Sequence, residues 1–273
     1  MTYQCPLCHQ PLALNQQNYR CENNHQFDRA KEGYVNLMPV QHKRSKDPGD
    51  NKEMMQARRR FLEGGHYDPM RQAVTQLCRD YLQGSQYQFL DIGCGEGYYT
   101  QFVAHSLADQ APQATTYGLD ISKIAIRYAA KRYPNVNFVV ASSHRLPFAD
   151  HSLDGVLRIY APCKADELNR CIQANGIVIT VTPAGRHLYQ LKQGIYQTVQ
   201  LHDETPEIIA GFTLEHQQHL NYTMSLSGSD AFDLLQMTPF AWRASDELRS
   251  DLKNTEIFEC EADFMISVYR KNN

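Results

Sequence analysis

Residues 89–100, FLDIGCGEGYYT, decide the fold of this 273-residue chain. The apolar start predicts a strand that ends at Asp91, and Gly93, Gly95 and Gly97 then predict a tight turn into a helix. Because glycine has no Cβ, the backbone and a ligand can approach each other closely at such a turn. Open α/β sheets bind ligands at the carboxyl ends of their strands, so we expect a ligand site here.

Strand-like and helical segments alternate after this turn. Strand-like runs cover residues 87–92, 115–119, 136–140, 155–159 and 177–181, and helices are predicted at residues 96–107 and 122–133. This alternation favours a parallel sheet with helices on both faces. Residues 256–260 and 264–269 are predicted to form a final strand pair, and residues 195–253 helices and loops. Upstream, a capping box at residues 50–53 predicts one helix ending at residues 64–65, and Asp68-Pro69 starts another.

The spacing of the glycines distinguishes between two kinds of nucleotide-binding site. A dinucleotide fingerprint, G-x-G-x-x-G, needs glycine where this chain has Tyr98, so that pattern fails. The pattern Asp-x-Gly-x-Gly-x-Gly resembles the first motif of the class I S-adenosylmethionine-dependent methyltransferases. The resemblance implies a Rossmann-like, mostly parallel seven-stranded sheet, in which Asp120 accepts hydrogen bonds from the ribose hydroxyls and Ser142 lies near the adenine. A similar fold that binds another nucleotide is the alternative.

Four side chains of metal-binding type cluster at the amino terminus: Cys5, Cys8, Cys21 and His25. Zinc prefers four tetrahedral thiolate and imidazole ligands, and a fully ligated ion leaves no position for a substrate, so we expect one structural zinc. The intervening HQPLALNQQNYR reads as a strand pair, which predicts a zinc knuckle or ribbon. Chance clustering of thiols is the alternative, and His9 is a competing ligand.

The charge is distributed unevenly along the chain. Residues 29–60 carry nine Lys or Arg against four acids, whereas residues 67–273 carry 17 against 23. A basic segment before an acidic body predicts a polyanionic partner, with a solvated basic linker as the alternative. No apolar run reaches the ~18–20 residues of a membrane helix, and no secretory signal is recognised. We therefore expect a cytoplasmic protein.

The chain as a whole resembles the bacterial 23S rRNA guanine-N1 methyltransferases. The stretches that carry this resemblance are CPLC with CENNHQFD, AKEGYVNL, VQHKRSKDPGDNKEMMQARRRFLEGGHY, LDIGCGEGYYT, ASSHRLPF, RIYAPCK and LLQMTPFAWRA. It implies methylation of N1 of one guanine in a hairpin of 23S rRNA, a homodimer, and a zinc region that aids RNA recognition. It also implies the same four zinc ligands and cofactor contacts at Tyr67, Gly95, Glu96 and His187.

These inferences give a working division into a zinc-binding part (residues 1–36), a basic connector with two helices (residues 37–84) and a methyltransferase domain (residues 85–273). The candidates for RNA phosphate contacts are Lys31, Lys43, Arg44, Lys46, Arg58, Arg59 and Arg60. Tyr160, Phe240 and Trp242 are candidate stacking platforms, although aromatic residues more often lie in the core. The acceptor of the guanine N1 proton stays open among Tyr160, His144 and Asp154.

Three alternatives stay open at this point. Pro162-Cys163 is the pair that pyrimidine C5 methylation would need, although it is only a two-residue match. A small-molecule methyltransferase, for example one acting on quinone precursors, would also fit LPFADHSLDGV. A non-catalytic zinc-dependent RNA-binding protein would fit the amino-terminal part.

Overall fold

The computed structural model describes residues 3–39, 51–82 and 84–273. The expected phosphate contacts Lys43, Arg44 and Lys46, and Asp50 of the capping box, lie outside these described residues. Asn51 caps the first helix with its side chain, which accepts a hydrogen bond from the Met54 amide at 2.9 Å. Within the described ranges, no helix has both the length and the apolar character needed to cross a membrane.

The amino-terminal part is a three-stranded antiparallel sheet, composed of β1 (Ala13–Asn15), β2 (Asn18–Arg20) and β3 (Gln26–Asp28). The predicted strand pair between Cys8 and Cys21 is confirmed, with Leu14 opposite Tyr19. Strand β4 (Val35–Asn36) follows and leaves this small sheet, because it pairs in parallel with a strand of the main sheet. We refer to residues 3–28 as the ribbon.

Helices and the strands of the main sheet alternate along the rest of the chain. In order they are α1 (Lys52–Glu63), α2 (Asp68–Tyr81), β5 (Gln88–Ile92), α3 (Tyr98–Gln110), β6 (Thr115–Asp120), α4 (Lys123–Arg132), β7 (Asn137–Val140), β8 (Leu153–Ile159), α5 (Ala165–Cys171), β9 (Ile172–Pro183), α6 (Tyr189–Gln193), β10 (Phe212–Leu226), α7 (Gly228–Gln236), α8 (Asp246–Asn254) and β11 (Phe258–Lys271). The sheet order is β10-β11-β9-β8-β5-β6-β7-β4.

The expected Rossmann-like sheet is confirmed, but in the described residues it has eight strands instead of seven. The strands from β9 to β4 are parallel, while β11 runs antiparallel between β9 and β10. The additional strand is β4, which pairs with β7 at an edge that would otherwise leave backbone groups unpaired. Only two residues form it, too few to produce a strand pattern in the sequence.

The predicted strand pair at residues 256–269 is wrong. These residues form one strand, β11, and its outer partner is β10, in a region expected to contain only helices and loops. The predicted break between the two strands contains the acids Glu261 and Asp263. Asp263 is instead buried, and its carboxylate accepts hydrogen bonds from the Arg186 amide at 2.8 Å and from His219 at 2.6 Å. These partners compensate for the burial of a charge inside a strand.

The ribbon packs directly against the main sheet. The ring of Tyr3 contacts Tyr117 of β6 and Phe148, with centroids 5.7 and 5.5 Å apart. Buried Cys5 and Leu12 belong to the same apolar cluster as Leu90 of β5. The two parts of the chain therefore share a core, and the ribbon is held against the methyltransferase sheet by apolar burial.

Candidate functional site

The side chains of Cys5, Cys8, Cys21 and His25 converge, with ligand atoms all within 4.8 Å of one another. The Cys8 and Cys21 sulfurs are 3.7 Å apart, and His25 Nδ1 lies 3.5 Å from the sulfur of Cys5 and 3.4 Å from that of Cys21. A tetrahedral zinc ion with ordinary bond lengths separates two sulfurs by about 3.8 Å, and sulfur from nitrogen by about 3.6 Å. The donor set and its separations therefore fit one zinc ion, and His9 is not part of the group.

The glycine turn has the backbone that its sequence predicts. Gly93, Gly95 and Gly97 have φ values of 75°, 54° and 83°, in the left-handed region. A Cβ on Gly93 would lie 2.7 Å from the Cβ of Ala161, whereas a Cβ on Gly95 would meet no atom of another described segment within 4 Å. Packing therefore explains Gly93, while Gly95 faces open space at the carboxyl end of β5. This space is the expected cofactor site.

Two acids border this space: Asp91 is buried and Asp120 is partly buried. Asp91, at the end of β5, accepts a hydrogen bond from Thr100 Oγ1 at 2.6 Å, and Asp120, at the end of β6, accepts one from the Gly95 amide at 3.0 Å. Ser142 follows Ala141, whose amide donates to the Asp120 carbonyl at 3.1 Å. Burial raises the pKa of Asp91 to about 7 and raises that of Asp120. Paired acids of this kind suit a cationic ligand, and S-adenosylmethionine carries a sulfonium and an ammonium group.

The affinity for S-adenosylmethionine is expected to rise with pH over the range in which Asp91 ionises. Because burial raises the pKa of this carboxyl to about 7, it is mostly protonated in mildly acidic solution and attracts a cation weakly. Ionisation should strengthen binding roughly tenfold between about pH 5.5 and pH 7, in proportion to the ionised fraction. Calorimetric titration across this range measures the effect, and Asp91→Asn should remove it. An equal pH dependence in Asp91→Asn would exclude Asp91 as its source.

Aromatic side chains surround His187, one of the residues expected to contact the cofactor. His187 lies 6.3 Å from Tyr67 and 6.2 Å from Tyr160, measured between ring centroids, and 4.7 Å from Phe264. Its Nδ1 accepts the Asp263 amide at 3.2 Å, which leaves the ring proton on Nε2. Burial lowers the pKa of His187 to about 3, so the ring is neutral near pH 7. His187 therefore offers an N–H donor, while its Nδ1 is occupied by the Asp263 amide.

The three arginines of α1 have intramolecular partners, although the sequence suggested phosphate contacts. Arg59 forms two hydrogen bonds with Glu96, at 2.6 and 2.7 Å, and Arg60 pairs with Asp233 of α7. Arg58 donates to the Met237 carbonyl at 3.1 Å, and burial lowers its pKa. These contacts join α1 to the glycine turn and to α7. Glu96, expected to contact the cofactor, holds Arg59, whereas Lys31 is exposed beyond β3.

Two of the three candidates for proton acceptor, Asp154 and Tyr160, lie at opposite ends of β8. Asp154 is near the amino end, where its carboxylate accepts the Gln88 amide at 2.7 Å. Tyr160 directly follows the carboxyl end and has a left-handed φ of 55°. Because β8 is parallel to β5, Asp154 lies at the opposite end of the sheet from the glycine turn. Asp154 is therefore far from the expected cofactor site, whereas Tyr160 adjoins His187.

Sequence reasoning missed Thr100 and Asp263. Thr100 lies one helical turn into α3, where its hydroxyl reaches Asp91. Asp263 determines which nitrogen of His187 carries the proton. The one available signal was the position of Asp263 directly before the apolar residues Phe264–Ile266 of β11.

Comparison with known proteins places this geometry in a family. Residues 3–46 match the family model described as RlmA, N-terminal, and residues 83–236 match a methyltransferase domain model. A 23S rRNA (guanine(748)-N(1))-methyltransferase of Streptomyces fradiae is 31% identical, with 89% of this chain and 87% of that protein covered. YxjB of Bacillus subtilis, provisionally named as a 23S rRNA (guanine-N1)-methyltransferase, is 30% identical, with 98% and 97% covered.

Among solved structures, a chain in the complex of the Trm112 methyltransferase activator with a methyltransferase from Haloferax volcanii shares the fold. The TM-score is 0.50 at 19% identity, with 82% of this chain and all of that chain covered. The chain is thus an S-adenosylmethionine-dependent class I methyltransferase with a zinc ribbon. It belongs to the 23S rRNA (guanine-N1)-methyltransferase family.

Proposed function

We propose that this protein uses S-adenosylmethionine to methylate N1 of one guanine in a hairpin loop of 23S rRNA. The observation that carries the proposal is the likeness to a family relative over 98% of the chain, ribbon included. A methyltransferase for small molecules has no evident use for a zinc ribbon packed on its sheet. A non-catalytic RNA-binding protein would not need the acids Asp91 and Asp120, whose pKa values are raised by burial, beside an open glycine turn.

The residues of the cofactor site would bind S-adenosylmethionine and orient it toward the guanine. S-adenosylmethionine supplies the electrophilic methyl group. Asp91, Gly95 and Asp120 would bind and orient the cofactor, with Tyr67, Ser142 and the neutral N–H of His187 beside them. Orientation of two reactants contributes about 7–11 kcal/mol to lowering a barrier. The guanine N1 proton must leave, and Tyr160 and His144 stay candidates to accept it because both follow carboxyl ends of sheet strands.

We propose that the ribbon and the basic residues that follow it hold the RNA. Among the residues expected to contact RNA phosphates, Lys31 is described by the structure and exposed. The excess of positive charge at residues 29–60 supports a polyanionic partner. The target guanine would leave its stack to reach the methyl group. We further propose a cytoplasmic homodimer, as the family resemblance implies, which light scattering of the purified protein would test.

The direct test is methylation of unmodified 23S rRNA. Purified protein, S-adenosylmethionine and an in-vitro transcript of 23S rRNA are incubated, and the nucleosides are analysed by mass spectrometry. We expect one 1-methylguanosine per transcript, and fragment mapping then locates it. A methyl group on any other base, or none while the cofactor binds, would contradict the proposal. Methylation of a quinone precursor under the same conditions would favour a small-molecule acceptor instead.

A further inference from the structure

One aromatic cluster at the surface has no part in the cofactor site described above. It consists of Tyr196, Phe240, Trp242 and Arg243, and we refer to it as the Trp242 platform. Trp242 is 73% exposed, although it is the one tryptophan of the chain. Phe240 and Tyr196 are half-buried, with ring centroids 6.4 Å apart, and Arg243 contacts the rings of both Tyr196 and Trp242. A tryptophan left in water beside other aromatic rings is a feature of binding surfaces.

The position of Arg243 strengthens this interpretation. Its guanidinium lies 4.7 Å from the centre of the Trp242 ring and 5.6 Å from that of Tyr196. In the part of the chain that the structure describes, no carboxylate forms an ion pair with Arg243. The guanidinium therefore orients the indole through a cation–π contact. The result is a flat, exposed π-surface with a defined orientation.

The platform is held rigidly in place. Trp242 lies in a short 3-10 helix, Ala241–Arg243, at which Arg249 of α8 donates to the carbonyls of Ala241 and Ala244. The Ala241 amide in turn donates to the Thr238 carbonyl at 3.3 Å. A surface ordered in advance loses little conformational entropy when it binds a partner.

Two segments next to the platform are hydrogen-bonded to elements near the cofactor site. On one side, the Met237 carbonyl accepts a hydrogen bond from Arg58 of α1, the helix that holds the glycine turn through Arg59. On the other, the Tyr196 amide donates to the carbonyl of Lys192 in α6 at 2.8 Å. This helix begins at Tyr189, two residues after His187. The platform is therefore fixed to the elements that frame the methyl-transfer site.

We propose that Trp242 stacks an unpaired base of the substrate RNA next to the target guanine, with Arg243 as the residue that positions the indole. This inference rests on the proposed rRNA substrate and adds the contact that reads an unpaired nucleotide. Every base has a π-face, so proteins use aromatic rings to hold splayed nucleotides. Asp246 and Glu247 begin α8 nearby and would repel a phosphate, which favours a base on this surface.

The single tryptophan makes the test specific, because all indole fluorescence comes from Trp242. The probe is an in-vitro-transcribed hairpin of 23S rRNA that the wild-type protein methylates, compared with a fully paired duplex of equal length. We expect the hairpin to quench the fluorescence and the duplex to leave it unchanged. Trp242→Ala should weaken hairpin binding about tenfold and Trp242→Phe less, while both keep wild-type affinity for S-adenosylmethionine.

Arg79→Ala is the matched control for Arg243→Ala, because each removes one exposed positive charge. Loss of binding in Arg243→Ala alone supports the positioning role. If the hairpin is methylated normally but does not quench the fluorescence, and if Trp242→Ala binds it like the wild type, the stacking role of Trp242 is refuted. The proposed function would then remain intact. Absence of both methylation and quenching with every 23S rRNA fragment would overturn both.

Discussion

Cys21→Ser is expected to release the zinc ion and to lower rRNA methylation at least ~100-fold, while leaving the affinity for S-adenosylmethionine nearly unchanged. In zinc-finger peptides the ion contributes on the order of 10–16 kcal/mol to the folded state. The three short strands of the ribbon bury little apolar surface of their own: Leu12 is buried, but the β1 residues that follow it are exposed. Without the fourth ligand, the ribbon should therefore lose its structure.

The cofactor site should tolerate this loss, because its residues lie elsewhere. Asp91, Gly95 and Asp120 are held by bonds within the methyltransferase part: to Thr100, to one another, and to the Ser122 amide. The shared core predicts a second consequence. Tyr117 and Phe148 lose the cover of Tyr3, so the unfolding temperature should fall by several degrees.

Three measurements on the same protein check this: zinc content, calorimetric affinity for S-adenosylmethionine, and methylation of 23S rRNA. His9→Gln is the matched control, because His9 follows Cys8 directly but lies outside the ligand group. It should keep one zinc and full activity. A Cys21→Ser protein with a full complement of zinc would refute the ligand set, and an equal loss of cofactor affinity would refute the separation of roles.

The glycine turn of the cofactor site could be predicted because the residues that form it are consecutive in the sequence. In FLDIGCGEGYYT the strand, the acid and the turn are consecutive, and each is determined by its own residue types: apolar, carboxylate and glycine. The zinc ligands are predictable for the same reason, since two short knuckles already fix the donor set. Parallel pairing of β5, β6 and β8 follows from the alternation with helices.

The features that the sequence analysis missed depend on contacts between segments that are distant in the chain. β10 is an edge strand whose residues 213–219 are mostly polar, and only its last part, LNYTMSL, alternates between apolar residues turned to the core and exposed polar residues. Asp263 is tolerated inside β11 because partners from two other segments bind it. The run Arg58–Arg60 reads as a basic patch in the sequence, yet Glu96 and Asp233, far along the chain, take two of these charges.

Gly95→Asn is expected to fold normally and to bind S-adenosylmethionine about 10- to 100-fold more weakly, by overfilling the space that the cofactor needs. Asparagine tolerates the left-handed backbone better than other residues with a Cβ, so the φ of 54° at this position costs little. Among the residues that the structure describes, no atom outside the turn lies within 4 Å of the added Cβ, and the new side chain would point into the open space.

Two further substitutions separate this steric effect from backbone strain. Gly93→Ala also adds a Cβ at positive φ, but only 2.7 Å from the Ala161 Cβ, so it should lower the stability of the protein itself. Gly33→Asn has a φ of 98° and meets only Arg29 at 3.5 Å, so it tests strain away from the site. Thermal unfolding and calorimetric titration of the three variants distinguish the effects. If Gly95→Asn bound the cofactor as tightly as Gly33→Asn, the space beside Gly95 would not be the cofactor site, and the assignment of Asp91 and Asp120 would fall with it.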